Sequence, residues 1–183
     1  MRLAGLYREL GDWTRVRERA AQENVLQTRK ASSGVRIVRE LVLRLQELSG
    51  PELALLVEGT SSQQNQLLWL AICRRYRLVA EFAREVLRER YVSLGPPLQL
   101  ADFDTFFDRK ADWAEELERL APVTRRKLRQ VLFRMLREVG LIDEQGLILA
   151  TLLSDRVYRT LMSADPEALQ YFPVFDRDLA RRA

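Results

Sequence analysis

Between Thr124 and Arg137 the chain carries six cationic side chains and no acidic one. On a helical projection Arg126, Lys127, Arg129, Gln130, Arg134 and Arg137 gather on one side. Guanidinium groups in such a row suit phosphate oxygens and the guanine edge. Arg29, Lys30, Arg36, Arg39 and Arg44 form a second basic group earlier in the chain. The chemistry of both groups is recognition of a polyanion. Bond-making chemistry is harder to find. There is no histidine, which removes the usual general base and the commonest metal ligand. Asp102, Asp104, Asp108 and Asp112 are spaced by two and four. Asp104, Asp108 and Asp112 line one helix face, without the convergence that a metal-dependent nuclease needs. They read as a solvated acidic face, or as a patch that keeps DNA off one side. The one cysteine, Cys73, lies in the apolar run LLWLAIC and reads as core. No phosphate-cradling glycine loop or dinucleotide fingerprint is present. The expectation is a non-enzymatic protein with neither cofactor nor metal.

The elements that must position these cations follow from spacing. Leu128, Val131, Leu132, Met135, Leu136 and Val139 recur at threes and fours, an apolar stripe opposite the basic face. Thr124 stands where a helix N-cap belongs and Gly140 where a left-handed C-cap belongs. Leu141-Ile142, the polar turn 143–146 and Leu147–Leu149 read as two short strands and a hairpin. Leu98 to Leu100 reads as a third short strand pairing with it. Pro122 reads as the break after a preceding helix from Asp112 to Leu120. Helix, turn, basic helix and hairpin together predict a winged helix-turn-helix-like unit, with the basic helix in the DNA major groove. Phe133 falls among the cations, so it is expected to be exposed on that face. Phe103, Phe106 and Phe107 are expected in the core.

Upstream, amphipathic helices are expected over 2–10, Trp13 to about Asn24, Val35 to Leu48 and Glu52 to Val57, with Ser32 or Ser33 capping the third. A long apolar helical region from Ser61 or Ser62 to about Tyr91, bending near Tyr76–Leu78, reads as the central core element. Gly95-Pro96-Pro97 reads as a linker. The predicted class is mainly α, with a helical bundle-like N-terminal domain over 1–94 and the winged-helix-like domain with its C-terminal extension over 95–183. Offset by ninety positions, Arg36, Arg39 and Arg44 overlay Arg126, Arg129 and Arg134. A second helix-turn-helix-like unit in the N-terminal domain would explain that. Tyr171–Phe175 is expected to fold back onto the body, and 177–183 to form a charged tail.

The 183 residues carry a net charge of +4, modest in total but concentrated in these patches. One cysteine cannot make an internal disulfide, nothing resembles a signal peptide, and the longest apolar run, Leu67 to Cys73, is far short of a membrane span. A cytoplasmic protein with no membrane segment is expected.

Four ordered stretches carry a family resemblance: NVLQTRKASSGVRIVRELVLRL at 24–45, LLWLAICRRYRLVAEFAREVLRER at 67–90, DFDTFFDRKADWAEELERLAPVTRRKLRQVLFRMLREVGLI at 102–142, and YFPVFD at 171–176. Together they resemble the BrxA family of BREX (bacteriophage exclusion) defence systems, over about residues 3 to 176. The resemblance implies a mostly helical, cytoplasmic, non-enzymatic protein that binds double-stranded DNA beside an adenine methyltransferase, a large ATPase and an alkaline-phosphatase-like protein. It carries over no catalytic residues. On the helical projection, Arg126 and Gln130 are placed to reach bases, and Arg134 and Arg137 to hold the backbone. Weak sequence specificity is expected, because few amides or carboxylates accompany the cations. The alternative is a protein-interaction scaffold whose basic faces dock on other components of the defence complex.

Overall fold

Capping chemistry sets several helix boundaries in the computed structural model, which describes residues 1–175 and 177. The helices are α1 (Arg2–Leu10), α2 (Trp13–Gln22), α3 (Ala31–Leu45), α4 (Gly50–Glu58), α5 (Ser61–Arg75), α6 (Arg77–Phe82), α7 (Glu89–Val92), α8 (Leu100–Ala111), α9 (Glu115–Glu118), α10 (Pro122–Glu138) and α11 (Asp155–Ala164). A π-helical stretch, Ala83–Arg88, joins α6 to α7, and a 3-10 helix, Pro166–Tyr171, follows α11. Two compact units result: residues 1–75 with 153–166, and residues 76–152 with 167 onward. Asp176 and most of the charged tail, 178–183, lie outside the described residues.

In the first unit Gly11 takes a left-handed conformation (φ 65°) and closes α1, and Asp12 caps α2 by accepting from the Arg15 N–H at 2.8 Å. Tyr7 and Trp13 stack across that corner with centroids 4.0 Å apart. Ser49 and Glu52 form a capping box that starts α4. Leu56, Leu67, Trp69, Leu70, Val42 and Val16 are fully buried, so the apolar run of α5 is the centre of this core. Tyr76 is extended and separates α5 from α6, within the stretch where a bend is expected.

In the second unit Phe82 is the hub. It meets Phe103 at 6.0 Å, Phe106 edge-on at 5.3 Å and Phe133 at 6.5 Å. The segment after the 3-10 helix does fold back: Phe172 and Val174 are buried, and the Thr151 N–H donates to the Pro173 carbonyl at 3.1 Å.

Several boundaries correct the sequence expectation. Pro122 starts α10 instead of ending a helix, because proline's fixed φ and missing N–H are harmless in a first turn. Thr124 therefore lies inside that turn, and α9 is a single turn that begins three residues after Asp112. Ser32 and Ser33 lie inside α3, whose cap is Lys30.

The largest correction is the hairpin. Among the described residues there is no strand, and the winged-helix expectation fails with it. Only one antiparallel bridge forms, between Ile142 and Ile148. The reason is competition for backbone groups. The Leu141 N–H still donates to the Leu136 carbonyl at the end of α10, at 2.8 Å. The Asp143 carboxylate accepts from Gln145 N–H and Leu147 N–H at 2.9 and 2.8 Å, folding the turn onto its own side chain. Too few groups remain for a ladder.

Leu98 does meet this turn, donating its N–H to the Gly146 carbonyl at 2.7 Å, but Leu100 already opens α8. Gly146 has φ 84°, and a β-carbon there would press on the Leu98 carbonyl oxygen well inside contact distance. Gly146→Ala is thus expected to cost about 1–3 kcal/mol from backbone strain, with the clash in addition. The shift of the urea midpoint checks this. An unchanged midpoint would mean that the turn is not pinned to residue 98.

Candidate nucleic-acid interface

The 17 residues of α10 sort into two faces. The inner face holds Leu132, Phe133 and Leu136, all buried, and the half-buried Arg125 and Arg129. It packs on α8. The outer face, within an arc of about 100° at 3.6 residues per turn, holds Arg126, Lys127, Gln130, Arg134 and Arg137, joined by the exposed Val123.

Arg129 belongs to the inner face. Its guanidinium pairs with the Asp104 carboxylate, and Arg125 pairs with both Asp104 and Asp108. Arg125 also donates to the Asp104 carbonyl at 2.8 Å and lies 4.7 Å from the centroid of Phe107. The hydrogen bond from Arg125, with the charge of Arg125, holds the Asp108 carboxyl below its ordinary range against the opposing effect of burial. These contacts account for two of the six cations and two of the acids read as a solvated face. The signal for them was present in the sequence: two carboxylates four apart on one helix match two guanidiniums four apart on the next.

The remaining outer-face cations have weak local partners. Arg134 lies 3.8 Å from Glu138 with both side chains about two-thirds exposed, and Arg137 lies 3.8 Å from the exposed Glu144. Arg126 and Lys127 are exposed near the N-terminal end of the helix, where the helix dipole adds positive potential. Phe133 is 3% exposed against Phe82, which corrects its placement among the cations.

The second basic group sits in the first unit. Arg29 and Lys30 are exposed in the loop before α3, and Arg36 and Arg39 are exposed on α3. Arg44 is half-buried, 3.6 Å from Glu40. In the ninety-residue overlay Arg36 and Arg126 are both exposed, and their neighbours differ in burial. Val38 is 3% exposed where Leu128 is 38% exposed, and Arg39 is exposed where Arg129 is paired inward.

Among the described residues no three of Cys, Asp and Glu converge to hold a metal ion, and no helix is long and apolar enough to cross a membrane.

Comparison with known proteins supplies the context for these faces. The family model described as BrxA matches residues 1–165. A curated relative, "BREX protein BrxA" from Bacillus cereus (strain H3081.97), is 30% identical over 130 residues, which is 71% of this chain and 65% of that protein. The match thus spans just under two thirds of the relative's length. A crystal structure of an uncharacterized protein from Magnetospirillum magneticum shares the fold, with a TM-score of 0.79 over 93% of this chain and 88% of that one, at 22% identity.

Proposed function

The chain belongs to the BrxA family, and we propose that it is a non-enzymatic, cytoplasmic accessory protein of a BREX phage-defence system that binds double-stranded DNA through the outer face of α10. The observation that carries this reading is that face itself. Arg126, Lys127, Arg134 and Arg137 present four cations along one side of a long, well-packed helix, with Gln130 among them. The inner face is anchored by Phe133, Leu136 and the pairs to α8, so the outer side chains are offered from a rigid support. Phosphate oxygens can replace Glu138 and Glu144, because both contacts are long and solvated.

Arg126 and Gln130 would approach base edges, while Arg134 and Arg137 would hold the backbone. The reading does not need Arg29, Lys30, Arg36 or Arg39 of the first unit. Arg129 contributes indirectly, by holding α10 on α8. With one amide among four cations, phosphate contacts dominate and sequence preference is weak. The other components of the defence system would be its protein partners.

Fluorescence anisotropy of a labelled duplex of random sequence, titrated at several salt concentrations, tests this. Removing Arg126 or Arg134 as alanine variants is expected to lower the salt slope by about 0.9 each. The loss should be uniform across duplex sequences. Absence of binding even at low salt would sink the reading.

A further inference from the structure

One groove and one protruding side chain are left over from the DNA reading, and they complement each other. The groove lies in the first unit, between α2, the loop 24–30 and the start of α3. Its volume is about 230 Å³, and its lining mixes Leu26, Val35 and Val38 with Asn24, Thr28 and Arg29. That is below the roughly 300–1,000 Å³ of small-molecule sites, so it suits a single bulky side chain. The loop is held in shape. Asn24 and Gln27 adopt left-handed conformations, with φ 44° and 52°, and the Asn24 side chain both donates to and accepts from Thr28. Strain of this kind persists where the surroundings enforce it. It places Arg29 in the lining, with the exposed Lys30 next to it in the chain. Arg36 and Arg39 continue the positive charge along α3, with Val35 54% and Ile37 41% exposed beside them. Phosphates gain nothing from Leu26 and Val38 in the lining or from exposed Val35 and Ile37. An apolar anchor ringed by carboxylates would use both features.

The chain itself carries such an anchor. Trp113, in the turn between α8 and α9, is 90% exposed. Next to it in the chain are Asp112, Glu115, Glu116 and Glu118, all exposed, with Glu115 paired to Arg119. A tryptophan left in water is unusual in a folded chain, and tryptophan is enriched among the residues that dominate protein interfaces. We infer that Trp113 and its acidic rim dock into the α2–α3 groove of a second copy of this chain. The indole fills the groove and lies under the Arg29 guanidinium, and Glu116 and Glu118 face Lys30, Arg36 and Arg39. Each copy offers one knob and one groove, so the contact either closes reciprocally in a twofold dimer or runs head to tail into rings or chains. A single anchor makes it weak and concentration-dependent.

Sedimentation velocity of the full chain over a wide concentration range tests this. The weight-average mass is expected to rise with concentration and to rise less at high salt. Trp113→Ala removes no packing within the fold and is expected to weaken association about thirtyfold. Arg29→Glu with Arg36→Glu is expected to abolish self-association, as is Glu116→Lys with Glu118→Lys. Mixing those two double variants should restore it, because each knob then meets a groove of opposite charge. A mass that stays monomeric at every concentration overturns the inference, as does association that survives Trp113→Ala. If the parent is monomeric and Arg29→Glu with Arg36→Glu weakens duplex binding instead, the patch is a nucleic-acid surface and the docking inference fails.

Discussion

Arg74→Ala is expected to destabilise the protein by about 3–5 kcal/mol, the range for removing one partner of a buried ion pair. Glu52 is fully buried, and the Arg74 side chain is only 15% exposed. The pair is bidentate, at 2.7 and 3.0 Å. Arg74 also reaches the Glu47 carbonyl at 3.0 Å and Asp165 at 3.3 Å. One guanidinium therefore ties α5 to the end of the α3–α4 connection, to the first turn of α4 and to the residue after α11. Alanine at 74 strands the Glu52 carboxylate in an apolar setting and leaves the Glu47 carbonyl short of a donor. The surface pairs Arg8–Glu58 and Arg156–Glu58, with every partner more than 40% exposed, should each change stability by less than about 1 kcal/mol. Urea unfolding of Arg74→Ala beside Arg156→Ala makes the comparison. Equal effects would mean that Glu52 is far wetter than its burial indicates.

The same pair sets a pH dependence. Burial pushes the Glu52 carboxyl up, but the hydrogen bonds from Arg74 and Ser49 and the charge of Arg74 outweigh it, so the folded value lies below the ordinary 4.5. A lowered carboxyl contributes stability that is complete above its unfolded value and is lost as pH falls through its folded value. The wild type should therefore lose more stability than Arg74→Ala between neutral and acid pH, and their midpoints should converge below the ordinary carboxylate range.

How much of this was readable in the residues divides along physical lines. Local signals carried in part. Gly140 is left-handed after α10 as expected, whereas Thr124, Ser32 and Ser33 lie inside the helices they were expected to cap. The apolar run of α5 and the phenylalanines of α8 are core. Features that depend on a neighbour did not carry. A hairpin needs backbone groups that α10 and Asp143 had already taken. The facing of α10 depended on α8, whose carboxylates turn Arg125 and Arg129 inward and leave Leu128 partly in solvent. A helical projection that ranks arginine as outside by type will misplace any helix whose ion pairs are internal. Nothing in the local pattern marks Trp113 as exposed, since hydrophobicity alone favours the core for a tryptophan.

Phe133 concentrates that lesson and supplies the second large effect. Its ring is 3% exposed and packs 6.5 Å from Phe82, in the cluster with Phe103 and Phe106. Phe133→Ala is expected to cost about 3–5 kcal/mol, the range for emptying a buried phenylalanine site. The loss should appear in the urea midpoint and not in the duplex affinity of the fraction that remains folded, because the Phe133 ring is buried while Arg126, Gln130 and Arg134 are exposed. Arg134→Ala is expected to behave in reverse, with an unchanged midpoint and a lower salt slope. Phe133→Leu separates packing from contact, since it keeps most of the apolar volume and should recover most of the stability. An exposed Phe133 that touched DNA or a partner protein would give the opposite pattern, with binding lost and stability kept. That outcome would mean α10 is rotated about its axis, with Arg125 and Arg129 on the outside and the basic face redrawn around them.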